Sequence, residues 1–257
     1  MSSRASLLSR STGVLLLFSV CALVLSGCPL FPQWSLSIPR IYELDHGVIT
    51  ITVDDAPEST ISRIYPILDE YGLKGNVALP IINVGKDNYL TLEDLQTLDL
   101  AGWSIVSHSM THRNLTTLSD EELVFELEKS KEWIINHGFK GSSTFVVPFH
   151  YWEERELKAV SRVYTASRGL AVTARHSLSG GDRPNLENIP PDNPNLISAW
   201  PGDHFYKTSS GRDVTMKEIE KAIENQKFFP IYFHSVNEEN VNDFRELIQR
   251  IAIYKKF

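Results

Sequence analysis

Two stretches of this chain concentrate residues able to hold a metal ion and move protons. Ser104-Ile-Val-Ser107-His108-Ser-Met-Thr-His112 presents two imidazoles four residues apart at the end of a short apolar run. Thr52-Val-Asp54-Asp55 places two carboxylates at the end of another. Residues four apart share a face on a helix, and at a strand-to-loop exit they can curl round one ion. Two imidazoles, a hard carboxylate oxygen from Asp55 and an open position make a catalytic zinc set. Such an ion polarises a carbonyl and lowers the pKa of a water. Neighbouring side chains on a strand alternate, so Asp54 shares the site of Asp55 only if the chain bends where the strand ends. Placed there, Asp54 could take a proton from the attacking water. His234, at the end of a late apolar run, could give one to a leaving amine.

The elements that must position these residues alternate. Val48 to Val53 is β-branched throughout and reads as a buried strand. Helical periodicity follows over Pro57 to Tyr71 and stops at Gly72. Further strands are expected over 74–79, 103–107, 144–147, 163–171 and 229–233, the last ending at His234. Further helices are expected over 91–101, from the capping box Ser119-Asp-Glu-Glu122 to Gly138, over 153–160, from a second box at Thr215-Met-Lys-Glu218, and over 242–254. Residues 176–213, rich in proline and glycine, read as an irregular functional rim. Six strands alternating with helices predict a parallel sheet, open or rolled into a barrel. Asp54, Asp55, His108, Pro148 and His234 all fall at the carboxyl ends of different strands. That favours a barrel, whose strand ends converge on one mouth.

The chain has 257 residues, 42% hydrophobic and 22% charged, which describes a folded protein with a substantial core. Its net charge of −7 gives no reason to expect nucleic acid, because a phosphate backbone demands clustered Lys and Arg. Lys217, Lys221 and Lys227 stand among acids and read as a solvated helix face. Residues 1–28 read as a lipoprotein signal peptide: Arg4 and Arg10, an apolar run from Gly13 to Leu25, then Leu25-Ser26-Gly27-Cys28, which resembles a lipobox. Lipidation of Cys28 would hold the protein on the outer face of a membrane. Both cysteines, Cys21 and Cys28, lie in this segment, so no disulfide is expected in the mature domain. Residues 29–45 read as a tether and 46–257 as the domain proper.

From about residue 46 to 250 the chain resembles the polysaccharide deacetylases of carbohydrate esterase family 4. Thr52-Val53-Asp54-Asp55 is similar to the family's Thr-Phe-Asp-Asp motif. Ser107-His108-Ser-Met-Thr-His112 with Arg113-Asn-Leu-Thr-Thr-Leu-Ser-Asp-Glu-Glu122 is similar to its His-Ser/Thr-x-x-His motif and continuation, and Tyr232-Phe-His234-Ser to its last motif. The resemblance implies a distorted (β/α) barrel of about seven strands. It implies Asp54 as catalytic base, Asp55, His108 and His112 as ligands of one divalent metal, usually zinc, and His234 as general acid. The reaction implied is hydrolysis of acetyl groups, mostly N-acetyl, from an acetylated polysaccharide, peptidoglycan or exopolysaccharide, at the cell surface. Rival readings are a glycan-binding lipoprotein without catalysis and a same-fold hydrolase of a small amide.

The departures from the family are specific. Its Arg-x-Pro-Tyr motif reads Val146-Val147-Pro148-Phe149 here. An arginine that orients the base is replaced by Val146. Phe149 stands where a tyrosine's backbone N–H helps hold the oxyanion, and a backbone donor survives that change. The glycine after Asp-Asp is Ala56, and the fourth motif, an Asp with a Trp, is not visible. Arg168, at the end of the next strand, is the candidate substitute for the missing arginine through an ion pair with Asp54. Trp200 is a candidate wall of the sugar groove. The usual last strand is missing, which leaves the barrel open or closed by residues near Trp34 to Tyr42.

Overall fold

The computed structural model describes residues 46–169, 191–207 and 209–255. The leader, Cys28, the tether and the proposed closing segment Trp34 to Tyr42 lie outside the described residues, as do residues 176–190 and 208 of the expected rim. Seven parallel strands form one sheet: β1 (Val48–Asp54), β2 (Asn76–Leu79), β3 (Ser104–Ser107), β4 (Thr144–Val146), β5 (Ala166–Arg168), β6 (Trp200–Pro201) and β7 (Phe228–Phe233). Their order across the sheet is β5-β4-β3-β2-β1-β7-β6. β1 lies near the middle, pairing with β2 from Thr52 to Asp54 and with β7 from Val48 to Val53. Its β-branched run suits this place, because a parallel strand covered on both faces has no polar side to show.

The connections are helical: α1 (Tyr65–Glu70), α2 (Leu92–Leu100), α3 (Asp120–Asn136), α4 (Glu154–Val163), α5 (His204–Lys207), α6 (Ser209–Glu224) and α7 (Val241–Ala252). The opening turn before α1, Thr60–Ile64, is π-wound. The capping box read at Ser119/Glu122 is formed, and Thr91 with Asp94 forms another at the start of α2. Ile64, Leu68, Leu95 and Leu98 from the helices and Val53, Val77, Ile105 and Ile231 from the strands meet in the main core. A smaller core under β4 joins Leu123, Leu127, Phe145, Trp152 and Tyr164.

Four expectations are corrected here. The box at Thr215–Glu218 is not a helix start, because α6 begins at Ser209 and Thr215 is buried within it. The Thr215 hydroxyl accepts the indole N–H of Trp200 at 3.0 Å. Trp200 is accordingly a core residue, 7% exposed, and not a wall of the groove. Among the described residues the barrel is not left open, because a late stretch of chain links the two edges of the sheet. Ile197 bridges to Arg168 of β5, and three residues later Trp200 pairs with Ile231 of β7, so one stretch of chain reaches both edges of the curled sheet. The expected strand over 163–171 is shorter, because α4 runs on to Val163.

Candidate active site

The site sits where the strands end, and the backbone there is strained. Eight described non-glycine residues have positive φ, and six of them are Asp55, Ala56, Ser109, His112, Phe149 and His150. Left-handed backbone costs such residues of order 1–3 kcal/mol each and persists only where the surroundings enforce it. At Asp55, φ 69°, the chain leaves its pleat, and this bend lets Asp54 and Asp55 serve one mouth. Ala56, at φ 56°, occupies the conformation that a glycine would take freely. The Asp55 carbonyl accepts Asn83 Nδ2–H at 3.1 Å and the Ala56 carbonyl accepts Leu90 N–H at 3.0 Å, which fixes the turn.

Asp55, His108 and His112 come together. Asp55 Oδ1 lies 3.0 Å from His112 Nε2 and 3.6 Å from His108 Nε2, and the two Nε2 atoms are 3.3 Å apart. Four-coordinate zinc with bonds of about 2.0–2.1 Å sets its ligand atoms about 3.3 Å apart. The three separations bracket that value, so this donor set fits a divalent ion. His108 is 3% exposed, and its Nδ1–H donates to the Val146 carbonyl at 2.8 Å. That bond leaves the Nε2 lone pair facing Asp55 and His112, as ligation requires. Burial drives the His108 pKa down to about 4, so the ring is neutral at physiological pH. Val146, where an arginine was looked for, thus serves the site through its carbonyl.

Asp54 is 1% exposed. It is ion-paired with Arg168, itself 5% exposed, so the arginine expected to compensate for Val146 does reach the acid. Arg168 is the direct ladder partner of Val146 across β4 and β5. The cation has moved one strand sideways at the same level of the sheet. The ring of Tyr232 lies 4.7 Å beneath the guanidinium carbon. Burial raises the Asp54 carboxyl, but the charges of Arg168 and His108 outweigh it and hold the acid below the usual carboxylate range.

His234 is half exposed at the end of β7, and its Nδ1–H donates to Asp203 Oδ2 at 2.8 Å. This hydrogen bond raises the His234 pKa. Asp203 follows Trp200-Pro201-Gly202 and is a partner of His234 that sequence reasoning missed. Gly202 is required there: a Cβ would come within 2.2 Å of the Phe233 ring. Phe149 stands against His112, its ring centroid 4.7 Å from that of the imidazole. His150, also missed by sequence reasoning, packs 4.8 Å from the Tyr232 ring, and burial lowers its pKa to about 3. No motif marks it; only the turn at Phe149 aims it inward. A polar pocket of about 330 Å³ opens beside His234, lined by Asp203, Tyr206, Ser235, Asn237 and Asp243 among others. The mouth therefore combines an ionised carboxylate, a histidine biased toward its protonated form and a three-donor cation site. Opposite pKa shifts on two neighbouring groups are how one site supplies a base and an acid together.

Residues 42–164 match the polysaccharide deacetylase family. Over this stretch the chain is similar to the polysaccharide deacetylases. The family's members are hydrolases that remove acetyl groups from carbohydrate, and they depend on a metal. A Bacillus subtilis protein bearing a polysaccharide deacetylase name, YxkH, is 27% identical over 128 residues, 50% of this chain and 46% of that protein. The chain thus matches less than half the length of this curated relative. The fold likeness runs beyond residue 164. A Mycobacterium smegmatis structure named as a polysaccharide deacetylase superposes with TM-score 0.59 at 13% identity, covering 79% of this chain and 83% of that one. The family 4 carbohydrate esterase of Streptomyces lividans, solved with acetate, gives 0.52 at 14% identity, covering 80% and 88%. At these identities the superpositions establish the (β/α) barrel fold alone.

Proposed function

We propose that this chain is a metal-dependent deacetylase that removes N-acetyl groups from N-acetylhexosamine-containing polysaccharide, peptidoglycan or an exopolysaccharide, at the cell surface. The carrying observation is the convergence of Asp55, His108 and His112 beside the Asp54–Arg168 pair. Asp55, His108 and His112 would hold the ion, most simply Zn2+, given one carboxylate and two imidazoles. When bound, it supplies Lewis acidity to the acetamido carbonyl and acidifies a water. Asp54, kept ionised by Arg168, takes the proton of the water that attacks the carbonyl carbon. The backbone N–H of Phe149 donates to the developing oxyanion. His234, held by Asp203, gives a proton to the departing nitrogen as the C–N bond breaks, releasing acetate and a free amino sugar. The polar pocket beside His234 suits neighbouring sugar hydroxyls. Lipidation at Cys28 would place this chemistry on the envelope, where such polymers lie.

Val146 alone would favour a glycan-binding protein without catalysis. The Arg168–Asp54 pair supports the catalytic reading instead, because it returns a cation to the base. Metal content and acetate release from N-acetylglucosamine oligomers, compared between the parent and Asp54→Asn, test it. The variant is expected to keep its metal and lose about 10²-fold or more in turnover, the range supplied by a general base. Parent-like turnover in Asp54→Asn refutes the base assignment, and turnover indifferent to a chelator refutes the metal.

A further inference from the structure

We infer that Glu126 is a positioning residue that sets the affinity of the Asp55–His108–His112 cluster for a divalent cation; this rests on the metal-dependent reading above. Glu126 projects from α3 and is 1% exposed. One carboxylate oxygen accepts the backbone N–H groups of Met110 at 2.9 Å and Thr111 at 2.8 Å, and the other accepts the Thr111 hydroxyl. Both residues lie between the two histidines, so one side chain clamps the whole span from His108 to His112. One turn further along α3, Ser130 accepts the hydroxyl of Ser107, the residue before His108, at 2.8 Å. α3 therefore grips the loop on both sides of His108.

The loop needs such a grip. Ser109 has φ 70° and His112 φ 57°, conformations that neither residue prefers. Within the loop, the Ser109 hydroxyl accepts His112 N–H at 2.9 Å. The Ser109 and Met110 carbonyls accept the N–H groups of Ile81 and Ile82 at 3.2 and 2.9 Å, which anchors the carbonyl side of the loop. Glu126 anchors the N–H side, and without it the two N–H groups at the apex lose their acceptor and the loop between the imidazoles is held from one side only.

Charge points the same way. The other buried carboxylates each have a cation nearby: Asp54 has Arg168, Glu156 has Arg155 at 2.7 Å and Glu218 has Lys221 at 3.7 Å. Among the described residues Glu126 has none within ion-pair distance. An anion buried against neutral donors alone is costly to the fold. A divalent ion ligated by a single carboxylate carries one uncompensated positive charge, and Glu126 is the buried anion placed to offset it. Groups behind metal ligands commonly govern affinity in this way.

The test is Zn2+ affinity of the full chain in mild detergent, by competition with a chromophoric chelator, alongside the thermal midpoint of the metal-free form. Glu126→Gln, which keeps shape but loses charge and one acceptor, is expected to weaken Zn2+ binding about 10–100-fold. At saturating Co2+ its visible absorption should match the parent's, because the ligands themselves are intact. Should Glu126→Gln fail to fold, Glu126→Asp carries the test: it keeps the charge, shortens the reach and is expected to weaken binding by a smaller factor. A folded variant with parent Zn2+ affinity and only a lowered midpoint overturns the inference and makes Glu126 a structural residue. If the parent binds Zn2+ and the variants bind it equally, this inference alone falls. A parent that takes up no divalent ion sinks the metal-dependent reading with it.

Discussion

Arg168→Met removes the guanidinium that faces Asp54 and keeps an unbranched chain in its place. The consequence follows from burial. Asp54 and Arg168 are 1% and 5% exposed, so water cannot replace the lost partner. Removing one member of a buried pair typically costs ~3–5 kcal/mol, most of it the penalty of an uncompensated charge. Asp54 can escape that penalty by binding a proton. Burial is already the largest influence on its carboxyl and acts upward, with Arg168 the first influence opposing it. The sign is then fixed. In the parent, the depressed Asp54 pKa contributes stability that is present above the unfolded-state value and lost as pH falls through the folded-state value. In Arg168→Met the folded-state pKa moves up, so acid sensitivity of both fold and turnover begins at higher pH. The assay is acetate release against pH, with circular dichroism to confirm folding. The acid limb of kcat/KM should shift upward, and kcat at neutral pH should fall about 10-fold or more, because a base displaced by about 1 Å costs up to 10²-fold. The ladder adds a second arm: Val146 and Arg168 are directly paired, so Val146→Arg combined with Arg168→Val returns a cation to the same level of the sheet. Part of the lost rate should come back. A folded Arg168→Met with parent kcat/KM and an unmoved acid limb refutes the reasoning.

Two other substitutions probe the acid side of the mouth. The Asp203 hydrogen bond raises the His234 pKa, and a raised histidine stays protonated further into the alkaline range; Asp203→Asn should therefore bring the alkaline limb of the pH–rate profile to lower pH, and an unchanged limb would separate Asp203 from the acid. Gly202→Ala drives a methyl group to within 2.2 Å of the Phe233 ring. Overpacking of this kind costs ~1–3 kcal/mol, so the thermal midpoint should drop, and a midpoint equal to the parent's would refute tight packing of the Trp200–Asp203 turn on Phe233.

How much of this was legible in the sequence depends on how local the signal is. β1, β3 and β7 are readable because each is a run of apolar, mostly β-branched or aromatic residues that ends in its own chemistry, at Asp54, His108 and His234. β6 is not readable: it is two residues long, contains a proline and is followed by a glycine. Its pairing is decided by what it closes, not by its own propensity. Thr215–Glu218 misleads for a related reason. The Ser/Thr-x-x-Glu pattern marks a helix start only when the hydroxyl is free to cap, and here the hydroxyl serves Trp200, fifteen residues earlier.

Asp203, His150 and Glu126 share a different kind of illegibility. Each works by meeting a residue far away in sequence, and nothing beside it announces the meeting. Glu126 lies in a helix rich in acids, and only burial sets it apart from Glu121 or Glu128, which are exposed. Arg168 is the instructive opposite. It sits in an unremarkable Ala166-Ser-Arg-Gly sequence, yet the arginine missing at Val146 from the family resemblance points to a cation at the next strand's end. The structure supplies the physical reason: a buried carboxylate must either be paired or be protonated. Arg168 is the ladder partner of the very residue that created the need. An absence in a motif is informative when the missing group neutralised a buried charge, because burial forces the fold to supply another. The replacement of tyrosine by Phe149 created no such requirement, since the donor there is the backbone, and no compensating residue is needed for it.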